Sequence, residues 1–298
     1  MNERSLRIFY EVATRLNMTE VAENLAISQP AVSQTIRELE TEFEVRFFDR
    51  IGRRLYLTRE GELFLEYARR ILNLYQECVQ TIGELRGLMK GRLNVGASTT
   101  IGIYILTDII GQFQKLNRGI EVAINIENTR IIENFILENR IDFAFVEGPV
   151  GSAEIAVEYF CGDELVFIVP PEHPWTLRDR VDLADLARER ILMREEGSGT
   201  RAVIENALRA AGAEYRIGME LGNTEAIKRA VAAGLGISCV SKRCIRQEVA
   251  DGRLRIVAVA GLAVHRDLNL IYHRDKYLSQ LFKSFIEFCK TAANANLS

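Results

Sequence analysis

The chain has 298 residues, 48% hydrophobic and 27% charged, a composition that suits about two ordinary globular domains and excludes a disordered or fibrous protein. Its formal net charge of -3 excludes a chain that is basic throughout, so any contact with nucleic acid has to come from a local patch. The opening MNERSLRIFYEV has no signal-peptide apolar run, no stretch approaches the ~20 apolar residues of a membrane helix, and the five cysteines form no C-x-x-C pair; the expectation is a cytoplasmic protein with reduced thiols and no metal.

Leu6, Phe9, Tyr10, Val12, Ala13 and Leu16 recur at helical spacing and predict an amphipathic first helix that Asn17 ends. Thr19 then serves as the N-cap of a short second helix, Glu20 to Leu25. After a turn at Ala26-Ile27, Ser28 caps a third helix to about Glu42, in which the early Pro30 is tolerated because first-turn amides have no helical partner to lose. Val32, Ile36, Leu39 and Phe43 give it one apolar face.

Its opening turn is slim and polar, with Gln29, Ser33 and Gln34 able to donate to and accept from base edges. Arg37, one turn on, suits a phosphate as well as a base. Phe47-Phe48 then anchor the chain, residues 50–54 turn, and Leu55-Tyr56-Leu57 return as a strand. This predicts a small wing whose tip carries Arg50, Arg53 and Arg54. With Arg46 and Arg59 they face a single acid, Asp49, in the one concentrated basic patch of an acidic chain.

At SQPAVSQTIRELE (residues 28–40) and FFDRIGRRLYLTREG (residues 47–61) the chain resembles the LysR-type bacterial transcriptional regulators. The resemblance implies a winged helix-turn-helix over residues 1–58 that contacts double-stranded DNA through Ser28, Gln29, Pro30, Ser33, Gln34, Arg37, Arg50, Arg53 and Arg54. One departure is Glu44, where that family usually ends the recognition helix with glycine. A side chain in the left-handed conformation there costs roughly 1 kcal/mol.

Thr58 caps a long helix that reaches Leu85 to Leu88. Within it Phe64, Ala68, Ile71, Tyr75, Cys78, Ile82 and Leu85 alternate steps of four and three, the seam of a coiled coil, and Cys78 reads as a small residue within that seam. Packing on its own domain would explain the same stripe. The resemblance favours a homodimer, implies a homotetramer and a contact with RNA polymerase, and makes residues 59–89 the dimerisation helix. Two readers related by a two-fold axis then require a pseudo-palindromic operator.

After a hinge at Lys90-Gly91, strands and helices alternate. Strands at Leu93 to Gly96, Val122 to Ile126, Asp142 to Val146, Leu165 to Val169, Ile191 to Met193, Met219 to Leu221, Gly236 to Val240 and Leu268 to Tyr272, with helices near 102–116 and 130–139, predict an α/β domain with parallel pairing. Several helices open on small polar residues: Ser98-Thr99-Thr100, Thr129, Ser198-Gly199-Thr200 and Asn223-Thr224. Taken singly, each is explained by capping. Together, beyond the carboxyl ends of parallel strands, they describe a polar pocket for a small anion, with Arg194 or Arg201 as counter-charge.

The LysR resemblance continues here through NTEAIK (residues 223–228) and GLGIS (residues 234–238). It implies an effector domain over residues 90–298, similar to periplasmic binding proteins, with lobe I at 92–161 and 268–298 and lobe II at 162–267. The chain crosses between them near Cys161-Gly162 and His265-Arg266. Residues 194–201, REEGSGTR, resemble the branch regulating carbon fixation or sulfur assimilation. No cofactor is implied beyond a small-molecule effector. Two other classes compete: a thiol redox sensor, for which Cys239 and Cys244 are the candidates, and an α/β enzyme, for which there is no P-loop, G-x-G-x-x-G or G-x-S-x-G motif.

Overall fold

The computed structural model describes residues 1–52, 54–85 and 91–295, which form two compact units. Arg53 of the predicted wing tip and Lys90 of the predicted hinge lie outside the described residues.

The N-terminal unit runs α1 (Glu3–Arg15), α2 (Met18–Asn24), α3 (Gln29–Phe43), β1 (Phe48–Ile51), β2 (Arg54–Leu57) and α4 (Arg59–Leu85). The cap of α2 is Asn17 and not Thr19: its side-chain oxygen accepts from the amides of Thr19 and Glu20 at 3.1 and 3.2 Å. The reason is that α1 already ends at Leu16, in the left-handed region at φ 53°, which leaves Asn17 in the extended backbone a cap requires. Ser28 caps α3, accepting from Ala31 N–H at 3.3 Å. Glu44 takes the left-handed position after α3 at φ 56° although it is not glycine.

Leu6, Phe9, Val12, Val32, Ile36, Leu39 and Phe47 are buried together, each contributing about 1.5–3 kcal/mol by leaving water. The wing is tied to α3 by Glu40, whose carboxylate accepts from Phe47 N–H at 2.8 Å. Thr58 Oγ1 accepts from Gly61 N–H at 3.0 Å and opens α4. A Cβ on Gly61 would stand 2.1 Å from the Phe47 carbonyl oxygen, so this first turn of α4 lies against the backbone that precedes the wing.

The first two seam positions serve a different purpose from the one expected. Ala68 is fully buried in the core of its own unit, and Phe64 stacks on Phe47 with ring centroids 4.4 Å apart. Helical periodicity marks an apolar stripe without saying what covers it, and here α1 and the residue before the wing cover its first turns. Beyond them Ile71, Tyr75, Cys78 and Ile82 are exposed on the single chain. Cys78 is thus a surface thiol on the single chain.

The larger unit runs β3 (Gly91–Ser98), α5 (Thr99–Ile101), a π-helical turn (Gly102–Leu106), α6 (Thr107–Leu116), β4 (Ile120–Glu127), α7 (Thr129–Leu137), β5 (Phe143–Glu147) and β6 (Ile155–Val169). It continues through β7 (Arg190–Arg194), α8 (Gly199–Ala210), β8 (Arg216–Leu221), α9 (Thr224–Ala232), β9 (Ile237–Ser241), α10 (Arg246–Ala250), β10 (Arg255–Val257), β11 (Val264–His273) and α11 (Gln280–Ala295). The helix expected from 102 thus begins at Thr99 and contains a π turn.

The sheet has nine strands in the order β4-β3-β5-β11-β6-β9-β7-β8, with β10 beside β6. It is mixed, which corrects the expectation of parallel pairing. β3 pairs in parallel with β4 and β5, as β7 does with β8 and β9, whereas β11 runs antiparallel to β5 and β6, and β6 antiparallel to β9.

The two antiparallel strands are longer than predicted because they pass from one core to another. Phe160 and Cys161 of β6 sit with the core under α6 and α11, and Leu165 and Phe167 with the core under α8. Val264 and Leu268 of β11 divide the same way. Charged residues at the changeover, such as Asp163 and Arg266, interrupt the apolar runs by which strands are recognised in sequence.

Candidate functional site

In the N-terminal unit Ser28, Pro30, Gln34, Arg37, Arg50 and Arg54 are exposed, and Gln29 and Ser33 are half-buried. Gln34 donates to Glu38 at 2.9 Å. An open groove is lined by Asn17, Thr19, Gln29, Arg50, Arg54 and Tyr56, so the opening turn of α3 and the two described wing arginines face one space. Its mouth combines amide donors and acceptors with positive charge, which suits a base edge flanked by phosphates.

In the larger unit the predicted polar helix starts fall into two clusters. Around the buried Glu147, at the end of β5, the Ser98 hydroxyl donates to the carboxylate and Thr200 Oγ1 donates to it at 2.8 Å, while Thr129 Oγ1 donates to the Glu147 carbonyl at 3.1 Å. Ser98 and Thr200, read from sequence as pocket donors, thus spend their hydroxyls on a carboxylate of the chain itself. Thr129 does not cap α7 either: Asn128 does, accepting from Ile131 N–H at 3.1 Å.

Gly199 lets these segments meet. A Cβ there would lie 1.8 Å from the Glu147 carbonyl oxygen, and Gly148, at φ 84°, faces the Gly199 backbone in turn.

Behind Glu147 lies Arg266, 1% exposed, whose guanidinium donates to Thr200 Oγ1 and Asp163 Oδ2, each at 2.8 Å, and approaches Glu147 at 3.5 Å. Asp163 also accepts from the Ser241 hydroxyl at 2.8 Å. The adjacent register of Asp163 on β6 and Arg266 on β11 puts this charge network where both strands change cores.

The second cluster centres on Arg194, 3% exposed at the end of β7. Its Nη2 donates to Thr99 Oγ1 at 3.2 Å and its Nη1 to Thr224 Oγ1 at 3.5 Å, so one guanidinium touches the starts of α5 and α9. Nε and Nη2 also form a fork onto the Glu195 carboxylate at 2.7 and 2.8 Å. Asn223 caps α9, accepting from Ala226 N–H at 2.8 Å, and Thr100, two residues after Ser98, is buried. Arg201, the alternative counter-charge, instead pairs with Glu205 and Glu220 at 2.8 and 2.5 Å.

Sequence reading missed Glu147, Asp163, Arg266 and Glu195, and with them a second buried group. Tyr104 on the π turn donates to Glu225, and Lys228 pairs with Glu225 and Glu248 at 2.6 and 2.9 Å. Burial depresses the Lys228 ammonium, but its two carboxylates more than reverse this and hold it above the usual lysine range. A signal for Glu147 was available: an acid directly after the apolar run FAFV. The thiols of Cys239 and Cys244 are buried, and burial pushes both up to about 12.

Residues 4–62 match the bacterial regulatory helix-turn-helix model of the lysR family, and residues 86–294 match the LysR substrate binding domain model. The chain is 37% identical over 289 residues to the HTH-type transcriptional regulator YeiE of Escherichia coli (strain K12), covering 97% of each chain. To the RuBisCO operon transcriptional regulator of Allochromatium vinosum it is 35% identical, covering 97% of this chain and 96% of that one. Among solved structures, the regulatory domain of CcmR from Synechocystis PCC6803 in complex with 2-PG aligns with a TM-score of 0.64 and 29% identity, over 68% of this chain and 97% of that one.

Proposed function

The chain belongs to the LysR family of bacterial transcriptional regulators, with relatives that include carbon-fixation regulators, and from that premise we propose that a small anion bound beside Arg194 controls its placement on DNA. The observation that carries this reading is the buried Arg194 guanidinium, in hydrogen-bond reach of Thr99 and Thr224 at the starts of two helices. Helix starts present unpaired amides and a partial positive charge, and arginine adds a directional fork for an oxyanion. Asn223, Thr224, Thr99 and Thr100 form the rim of the site; Ser98, Thr129, Gly199 and Thr200 shape it through Glu147, and Ser198 caps α8 by accepting from Arg201 N–H.

On the DNA side, α3 enters the major groove with Gln29, Ser33 and Gln34 toward base edges, and Arg50 and Arg54 take phosphates or the minor groove. The exposed stripe of α4 from Ile71 through Ile82 pairs two copies, and pairs of dimers form a tetramer on a pseudo-palindromic operator, from which the protein contacts RNA polymerase. Its place is the cytoplasm; among the described residues no helix is long and apolar enough to cross a membrane. The larger unit works as a binding module without catalysis. A ligand acts only by favouring one arrangement of lobes and subunits over another.

The test is calorimetric and thermal-shift titration of the full-length protein with 2-PG, phosphorylated sugars, acylated serine, sulfate and nicotinamide nucleotides, alongside gel retardation on its own upstream DNA. Saturable binding by one of these that alters the footprint is expected. Binding no tighter to that DNA than to random duplex would remove the regulatory reading. A thiol-sensing reading ranks behind it, because a thiol held at about 12 is almost entirely protonated near neutrality.

A further inference from the structure

The anion site as it stands is filled by the protein's own carboxylate. Glu195 takes the Nε–Nη2 edge of Arg194 at 2.7 and 2.8 Å, the edge that a bidentate oxyanion would use. Arg194 is 3% exposed, so its charge cannot be left alone without a large desolvation cost. Glu195 is 23% exposed and lies just beyond β7 on the segment leading to α8, outside both elements. Its side chain can rotate into water without breaking a strand or helix hydrogen bond.

The other partners of Arg194 differ in kind. Thr99 and Thr224 are neutral hydroxyls on the starts of α5 and α9, and both can turn to donate to an incoming oxygen.

Resting on the reading of Arg194 as the anion site, we propose that Glu195 is a resident competitor whose displacement sets the affinity and selectivity of the site. Ligand and Glu195 are mutually exclusive on one fork. Such a site rejects monodentate anions such as chloride, which cannot replace two charged hydrogen bonds, and admits oxyanions that present two oxygens in a plane. The charge of the site stays balanced in both states: Glu195 neutralises Arg194 without ligand, and the ligand neutralises it when Glu195 swings out.

The experiment compares full-length wild type, Glu195→Gln and the double variant Arg194→Gln/Glu195→Gln, titrated calorimetrically with sodium sulfate at constant ionic strength, with sodium chloride as control. The double variant removes both charges together and so leaves no orphaned ion in the interior. Circular dichroism and a cooperative urea unfolding transition of the larger unit verify folding. Glu195→Gln is expected to bind sulfate more tightly than wild type by roughly tenfold or more, the order of one charged hydrogen bond, with chloride unchanged in both and the gain abolished in the double variant. Unchanged or weaker binding by Glu195→Gln, with binding still lost in the double variant, overturns the competitor and leaves the Arg194 site standing. Equal sulfate binding by all three proteins overturns both. Absence of sulfate binding in every protein also overturns the proposal, because a fork freed of its occupant should fill.

Discussion

The opening turn of α3 and the cleft around Arg194 and Glu147 both carry polar residues at helix starts, yet they deploy them in opposite ways. On α3 and the wing, Gln34, Arg37, Arg50 and Arg54 are exposed and face outward. In the cleft Ser98, Thr200, Glu147, Asp163 and Arg266 are buried and pair with one another, and buried Arg194 is met by Glu195, Thr99 and Thr224. A surface that meets a polyanion keeps its charge in water, where the cost of carrying it is small. A cleft that excludes water has to neutralise every charge internally before any ligand arrives.

That contrast can be broken most severely at Arg266. Arg266→Met leaves buried Glu147 without its cation and Asp163 with only the longer Arg243 contact at 3.5 Å, and should destabilise the larger unit by about 3–5 kcal/mol, read as a lowered midpoint in urea unfolding. An unchanged midpoint would mean that the network is no more than decoration. Arg50→Ala with Arg54→Ala should leave that midpoint where it is.

The thiols give a contrast of similar size. Cys239 and Cys244 should react with a chromogenic disulfide at pH 8 far more slowly than a free thiol, because their thiolate fraction at a pKa of about 12 is lower on the order of a thousandfold than at an ordinary value near 9, whereas Cys78, exposed on the single chain, is shielded only where two copies pair. The buried pair should become reactive only in denaturant or as pH rises toward 12, where the thiolates form. Equal rates for all thiols in the native protein would contradict the burial described for them.

A smaller effect tests the outward-facing charges. Arg50→Ala/Arg54→Ala should weaken retention of specific and random duplex alike and reduce the slope of log affinity against log salt by about 2 for each protomer bound, one for each phosphate that is no longer neutralised. Loss of preference among base sequences with an unchanged slope would assign these arginines to bases. Smallest of all, Glu44→Gly should raise thermal stability of the N-terminal unit by about 1 kcal/mol, because φ 56° is free for glycine and strained for glutamate, with DNA affinity unchanged.

The N-terminal unit was largely readable because its determinants are close in sequence. Ser28 and Ala31, Thr58 and Gly61, and the spacing of Val32, Ile36 and Leu39 are all matters of three or four residues. The misreading of Thr19 turned on a one-residue question, where α1 stops, which the left-handed Leu16 decides. The cleft was legible only as a set of helix starts. Which of them share a carboxylate depends on Glu147 meeting Ser98 across 49 positions and Thr200 across 53, and local patterns carry no record of such pairs.

The DNA-reading module, the alternating α/β order of the larger unit and the helix starts that crowd one end of its strands are all written locally in the chain, since each follows from short-range periodicity, capping and turn chemistry. Long-range packing sets the rest: Phe64 and Ala68 belong to the core of their own unit, Arg194 and not Arg201 stands between Thr99 and Thr224, and Glu147 and Glu195 already occupy the donors of the cleft. Burial makes that difference: a charge taken out of water must be met by whatever partner the fold brings within 3 Å, and that partner is fixed by topology rather than by its neighbours in the chain.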